Sequence, residues 1–392
     1  MIPQNNGLLM SKLGYLDSIR GLACICVVLS HASLVFFPYI HAFFGDIPET
    51  NQTQNLIHNS PFTFVFSGTG AVYVFFVLSG FVLSRSMHNK DASGFISAIF
   101  ARYPRLMIPA LFSCIFAFLI YSVIVLLAPP QNLSPWFYNQ LVNTPNFFDS
   151  IKSGVIDAFF LGKSNYNNVL WTMSIELSGS FLIYLFMYLN NHINKTISSA
   201  LFLATIILIA PISTKYAGGF FCFWVGFTIY ITDFKIRGFW LSLSALLLGL
   251  YLAGVHYGSY SYSWIDYLLK QRSYLACNIF AGILIVWSIY SSETFQQLLT
   301  KKWLIWLGKK SFSIYLLHMP LMILTSYLFF DLFDKQFGYD IAALLMTLSV
   351  VLLSVITSAL FSFIDDYAVA LSKLTGEKAS RFYCALRANS PT

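Results

Sequence analysis

Long uncharged apolar runs recur along the whole 392-residue chain and restrict its fold more than any other feature. Hydrophobic residues make up 57% of the sequence and charged residues only 10%, whereas about a quarter of the residues in soluble domains are charged. Many runs reach the roughly 20 residues that a helix needs to cross a hydrocarbon core. They are too continuous for the alternating strands of a membrane barrel. The sequence therefore predicts an all-α, polytopic transmembrane helical bundle.

Ten runs qualify as candidate spans. They cover residues 18–38, 62–84, 104–128, 169–189, 198–212, 217–232, 238–255, 273–291, 309–330 and 341–363. With the N-terminus inside, seventeen of the 23 Lys and Arg residues lie on the inner side and six on the outer side. Because cytoplasmic loops are enriched in these residues, both termini are predicted to be cytoplasmic. We expect a transmembrane domain over residues 1–370, then a short basic tail over 371–392. Nucleic acid is not an expected partner, because the positive charges are scattered among loops.

The first span carries two ionisable residues on one face. Arg20 and His31 are eleven positions apart, so they point within about 20° of each other and lie about 16 Å apart along the axis. Asp17 can pair with Arg20 or cap the helix start. Separately, the arginine could be a cytoplasmic anchor and the histidine a hydrogen-bonding group between helices. Their position on one face favours a functional role over a structural one. The pair would suit acyl-coenzyme A as a ligand, with its phosphates at Arg20 and its thioester at His31.

Two further spans carry polar or small residues near the cytoplasmic side. Arg102 and Arg105 open the third span, and Pro104 suits a first helical turn. Two guanidiniums at a helix N-terminus would bind phosphate, although they could also be topological anchors. Ser79 and Gly80 in the second span would let either a ligand or another helix approach closely.

The fourth and ninth spans place polar groups at greater depth. Trp171 suits the aromatic belt of the interface, whereas Glu176, five residues deeper, needs a partner. It would orient the His31 imidazole or form a structural ion pair. His318 lies near mid-membrane with Tyr315 on nearly the same face, and hydrogen bonding between helices explains it equally well. No cysteine spacing indicates a metal site, so none is expected.

The longest segment between spans, residues 129–168, is predicted to lie outside. It opens with turn residues in "APPQNLSPW", and "IKSGVIDAFFLG" is apolar enough to lie on or dip into the membrane. Segments of this length are usually functional lids or disordered.

In their order along the chain, these motifs resemble the acyltransferase-3 family of integral membrane acyltransferases. "LDSIRGLACICVVLSHA" is similar to the family's N-terminal signature, in which Leu-Asp precedes a basic residue, ten other residues follow it, and then comes a histidine. "FFVLSGFVLS", the R-x-x-R of "RYPR", "WTMSIE" and "SIYLLHMPL" then follow in family order. The resemblance covers essentially all ten spans.

The resemblance implies transfer of an acyl group, commonly acetyl, from cytoplasmic acyl-coenzyme A to a hydroxyl of an exported carbohydrate. Typical acceptors are lipopolysaccharide O-antigen, exopolysaccharide, peptidoglycan or periplasmic glucans, which include lipid-linked glycans, and some relatives modify secreted small molecules such as macrolides. The expected location is the bacterial cytoplasmic (inner) membrane, with membrane lipid as a further partner. Arg20 and His31 carry over as the essential pair, with His31 acting as general base or acyl carrier. Arg102 and Arg105 carry over as the donor-binding pair. The sequence does not decide whether the chain forms a homo-oligomer.

The chain departs from the family pattern at three places. Thr172 and Met173 replace the usual Ser-Leu after the tryptophan, although the glutamate is kept. In "FIDDYAVAL", Asp365 could stand in for the glutamate of the family's Glu-Arg/Lys-Pro, but no proline follows, so Asp365 receives no role. Many relatives continue into an extracytoplasmic domain, so here we expect transfer within the membrane domain or with a partner.

Two other classes of function would fit parts of the pattern. A proton-coupled transporter would also carry His and Glu at mid-membrane, although no inverted repeat is found. A structural subunit would leave Arg20 and His31 dispensable.

Overall fold

The computed structural model describes residues 13–41 and 51–388, and a helix occupies each of the ten predicted spans. These helices are α1 (Gly14–Phe36), α2 (Gly68–Met87), α3 (Ala92–Ile124), α4 (Thr172–Asn190), α5 (Lys195–Ile209), α6 (Thr214–Thr232), α7 (Phe239–Ala253), α8 (Ser273–Ser291), α9 (Lys302–Thr325) and α10 (Tyr339–Ala388). No strand occurs within those two described ranges. The predicted all-α fold is therefore confirmed.

Seven of these helices, counted with the helical turns that adjoin them, are long and apolar enough to cross a membrane: α1, α2, α3, α4, α8, α9 and α10. α5 and α7 are apolar but have only 15 residues each, fewer than a span usually needs. The count of ten spans and the cytoplasmic location of the termini therefore stay predictions. Residues 1–12, 42–50 and 389–392, which include both ends of the chain, lie outside the described residues.

Short helical segments join the long helices. They are Pro38–His41, Gln52–His58, Thr63–Phe66, Pro135–Tyr138, Phe147–Lys152, Ser153–Leu161, Asn168–Trp171, Tyr260–Tyr262, Ser263–Leu269, Lys270–Arg272, Glu293–Leu298, Ser326–Phe330 and Asp331–Phe337. α10 continues without a break through residue 370, where the tail was predicted to begin. That domain boundary stays a prediction.

The chain divides into two compact units whose segments alternate along the sequence. The first contains residues 1–75, 127–141 and 235–359, and the second contains residues 76–126, 142–234 and 360–392. α1, α7, α8 and α9 belong to the first unit, and α3 to α6 belong to the second. α2 and α10 contribute residues to both.

Within the first unit, α1 and α9 meet backbone to backbone at two glycines. A Cβ atom added to Gly21 would lie 2.8 Å from the backbone nitrogen of Gly308, and one added to Gly308 would collide with the carbonyl of Asp17. Small residues of this kind let membrane helices approach closely. This contact fixes the position of α1 relative to α9 along their axes, and so determines which side chains further along the two helices face each other.

Within the second unit, glycines again let two helices meet. A Cβ on Gly80 of α2 would collide with the backbone of Phe223 in α6, and one on Gly226 would collide with the carbonyl of Val77. Of the two alternatives for Gly80, ligand approach or helix packing, the structure shows helix packing. A direct role for Gly80 in donor binding stays a prediction that its contacts do not support.

α3 begins twelve residues earlier than the predicted span. Asp91 is its N-cap, and a side-chain oxygen of Asp91 accepts a hydrogen bond of 2.9 Å from the backbone N–H of Gly94. Pro104 therefore lies inside the helix, and the prediction that it occupies a first turn is wrong. The two flanking arginines are also mid-helix, so the dipole of a helix N-terminus does not contribute to a phosphate site there.

Candidate active site

α1 and α9 run parallel and in register along the first unit. In several contacting pairs, the residue of α9 is numbered 287 positions higher than the residue of α1. The two helices therefore run in the same direction and rise by the same amount from the glycine contact. Three pairs share this offset: Gly21 with Gly308, Cys24 with Ser311, whose thiol and carbonyl oxygen are 3.1 Å apart, and His31 with His318. The register thus brings together two histidines that were predicted separately.

The two imidazoles form a direct hydrogen bond. Nδ1 of His31 lies 2.8 Å from Nε2 of His318. The ring centres are 5.1 Å apart and the planes differ by 14°, so the rings lie edge to edge in nearly one plane. His318 is 0% exposed, whereas His31 is partly exposed. His31 is therefore the member of the pair that a substrate can reach.

The surroundings of His318 determine which nitrogens carry protons. Its Nδ1 lies 2.8 Å from the carbonyl oxygen of Tyr315 and 3.3 Å from that of Ile314. Carbonyl oxygens only accept, so Nδ1 carries the proton, and in a neutral ring Nε2 must accept. A charged His318 would bury an ion at a large desolvation cost. His31 then donates from Nδ1, which leaves the lone pair of its Nε2 available.

Trp136 covers the His31 ring on one side. The ring centres are 5.5 Å apart and the planes differ by only 10°. Trp136 lies in the short helix Pro135–Tyr138, which Ser134 caps and whose first position is a proline. The sequence reading of "APPQNLSPW" identified the turn but missed the tryptophan. The three consecutive aromatic residues Trp136, Phe137 and Tyr138, in a capped turn of an expected lid, are the signal that could have identified it.

Arg20 lies near the beginning of α1 and pairs with Asp17, with 3.5 Å between Nη1 and Oδ1. Between Arg20 and His31 on the same face, Cys24 and Val27 are 0% and 1% exposed. This face of α1 is packed, so it leaves no room for the extended coenzyme arm that was predicted to lie along it. The ion pair is as predicted, and the phosphate role of Arg20 stays a prediction.

Open space beside α1 lies on a different face. A cavity of about 380 Å³ is lined on α1 by Ile19, Leu22, Ala23 and Cys26, roughly 120° around the axis from the line of Arg20 and His31. Its lining is almost entirely apolar. Such a cavity suits an alkyl chain and not the phosphates of a coenzyme.

In the second unit, two separately predicted residues contact the carboxylate of a third. Oε1 of Glu176 accepts hydrogen bonds from Nη2 of Arg102 at 2.5 Å and from Oγ of Ser79 at 2.8 Å. Nε of Arg102 also donates to Ser180 at 2.7 Å. The charged side chains are only 14% and 15% exposed. The ion pair left open for Glu176 is therefore present, and its support of His31 stays a prediction.

Arg105 has its own carboxylate partner. Its two terminal nitrogens bind the two oxygens of Asp365 at 2.5 and 3.1 Å. The sequence reading compared Asp365 with the family's glutamate but assigned it no role. Both arginines of "RYPR" are thus neutralised within the protein, so a donor phosphate would have to share or replace these partners.

Trp171 and Tyr315 take part in other contacts. The Nζ of Lys215 lies 3.5 Å from the centre of the Trp171 ring, as a cation–π contact. Tyr315 supplies a backbone carbonyl to His318, and its ring centre lies 6.4 Å from that of Phe75. Both stay candidates with a structural contact and no assigned chemistry.

A histidine cluster that the sequence reading did not single out follows α1. Nε2 of His41 lies 3.0 Å from Oγ of Ser30, the residue before His31. His256 lies between two backbone carbonyls, and its ring packs edge-on against His58 with the ring centres 4.7 Å apart. Burial lowers the pKa of His41 to about 4, with His256 adding repulsion, and burial also lowers the pKa of His256.

These lowered pKa values predict that the protein loses stability on acidification. Well above pH 6.5, His41 is neutral in both the folded and the unfolded chain. As the pH falls from about 6.5 towards 4, His41 of the unfolded chain binds a proton more readily than His41 of the folded chain. We expect His41 alone to lower the free energy of unfolding by about 3 kcal/mol over that range. Thermal unfolding of detergent-purified protein at several pH values measures this. His41→Gln should reduce the dependence of the unfolding temperature on pH, whereas His192→Gln, at an exposed site, should leave it unchanged. The same pH dependence in His41→Gln and in the wild type would contradict the role given to His41.

Comparison with known proteins gives a match over most of the chain. The model of the acyltransferase-3 family, described as an acyltransferase domain, matches residues 13–363. The O-acetyltransferase PaAT-1 of Phomopsis amygdali is 23% identical over 250 residues. That match covers 57% of this chain and 48% of the relative, about half of its length. No solved structure matches.

Proposed function

The chain belongs to the acyltransferase-3 family, and on this premise we propose that it transfers an acyl group from acyl-coenzyme A to a hydroxyl of an exported carbohydrate. Acetyl is the proposed group, in keeping with the O-acetyltransferase to which the chain is similar. The proposed acceptor is O-antigen, exopolysaccharide or a related glycan. The proposed location is the bacterial cytoplasmic membrane.

One observation carries the proposal, the hydrogen bond between His31 and His318. It supports a neutral His31 whose Nε2 is basic and whose Nδ1 is fixed by a buried partner. A general base needs this combination of a free lone pair and a fixed ring. The partial exposure of His31 beside a fully buried His318 supports the same assignment.

The proposed reaction uses Nε2 of His31 at each proton transfer. It removes the proton of the acceptor hydroxyl while that oxygen attacks the thioester carbon. The carbon–sulfur bond then breaks, and the proton passes to the sulfur to give free coenzyme A. A route in which Nε2 first takes the acyl group uses the same lone pair. Arg20, Arg102 and Arg105 are the proposed ligands of the donor phosphates.

The test is coenzyme A release coupled to acylation. Proteoliposomes receive acetyl-coenzyme A, with membranes of the source cells as the acceptor. We expect free thiol to appear in step with alkali-labile O-acetyl groups on the membrane glycans. A transporter would move solute without releasing thiol. Folded protein that releases no thiol and forms no O-acetyl groups would refute the proposal.

A further inference from the structure

Within the first unit, hydrogen bonds before Trp136 and a buried side chain after it hold the segment that carries this tryptophan in place. The backbone N–H of Ser134 donates to the carbonyl of Val35 at 3.3 Å, and that of Gln131 donates to Asp331 at 3.0 Å. After the tryptophan, Phe137 is 1% exposed. The near-parallel stacking of Trp136 on His31 is therefore built into the fold.

The position of Trp136 matters because water competes with any acceptor hydroxyl. An indole face is only a weak hydrogen-bond acceptor, and its single N–H lies in the ring plane. A ring stacked on an imidazole therefore removes water from that side without supplying a replacement. Exclusion of water from a reactive group prevents wasteful hydrolysis.

We propose that Trp136 is the residue that keeps water from His31, so that the acyl group passes to the carbohydrate hydroxyl. The inference rests on the proposed function. In the competing reaction, a water oxygen attacks the thioester carbon and the carbon–sulfur bond breaks. Nε2 of His31 carries one proton from the water to the sulfur, so the products are free acid and coenzyme A. The ring thus sets the ratio of hydrolysis to transfer.

The experiment compares Trp136→Ala and Trp136→Phe with the wild type in proteoliposomes. Thiol release from acetyl-coenzyme A alone measures hydrolysis, and O-acetyl formed after addition of source-cell membranes measures transfer. Because the cover is removed, we expect the hydrolysis-to-transfer ratio to rise about fivefold or more in Trp136→Ala and about twofold in Trp136→Phe. Trp240→Ala, at a position 76% exposed on α7, is the matched control and should keep the wild-type ratio.

The outcomes separate this inference from the proposed function. A merely structural role would lower hydrolysis and transfer together, so an unchanged or lower ratio in the Trp136 variants would overturn the inference. If Trp136→Ala does not fold, the ratio for Trp136→Phe decides in the same way. Wild-type protein that releases no thiol with the acceptor membranes would instead refute the proposed function.

Discussion

Replacement of His31 by alanine is expected to abolish acyl transfer while the protein still inserts and folds. The variant loses the only nitrogen that the proposed mechanism uses for proton transfer, and a positioned general base contributes about 10²- to 10⁴-fold to the rate. It also leaves the acceptor nitrogen of buried His318 unpaired, at a cost of about 1–3 kcal/mol. The measurement is O-acetyl formation per mole of folded protein, with folding checked by size exclusion.

His31→Asn separates catalysis from packing. Its amide nitrogen lies close to where Nδ1 was and can still donate to His318, but nothing replaces Nε2. We therefore expect stability near wild type and the same loss of transfer as in the alanine variant. His192→Ala, at an exposed position, controls for the loss of a histidine as such. Transfer near the wild-type rate in either His31 variant would end the assignment.

The location of the helices could be predicted because that information is local. Length and apolarity alone place a helix at all ten predicted spans. The start of α3 was missed because Arg102 and Arg105 interrupt the apolar run, although Asp91 followed by Ala-Ser-Gly is a local N-cap signal. Packing continues that helix through its charged residues and its proline.

Pairings between helices could not be predicted in the same way. His31 and His318 were each identified as ionisable groups in a span, but 287 positions separate them. Arg105 and Asp365 are 260 positions apart. One sequence carries no signal for which helices pack together, so it could not decide between support of His31 and a structural ion pair for Glu176. The hydrogen-bonding neighbours of Glu176 include Arg102 and Ser79. Trp136 was missed because its importance depends on a fold that brings a loop onto α1.

Arg102→Ala is expected to weaken binding of the donor more than binding of the acceptor. A charge-assisted hydrogen bond to a phosphate is worth about 1.5–3 kcal/mol, so the dissociation constant for acetyl-coenzyme A should rise about 10- to 100-fold. The same change removes the arginine partner of Glu176, whose side chain is only 15% exposed. Loss of one partner of a buried pair costs about 3–5 kcal/mol, so a donor titration of the single variant would mix the two effects.

The double variant Arg102→Ala/Glu176→Gln removes that ambiguity. A neutral amide at position 176 needs no counter-ion, so the comparison with Glu176→Gln alone isolates what the guanidinium does for the donor. We expect the dissociation constant to rise at least tenfold between these two proteins. Arg85→Ala, at an exposed position near the end of α2, controls for the loss of one positive charge. Equal donor affinity in Glu176→Gln and the double variant would make Arg102 a structural partner of Glu176 and remove it from the donor site.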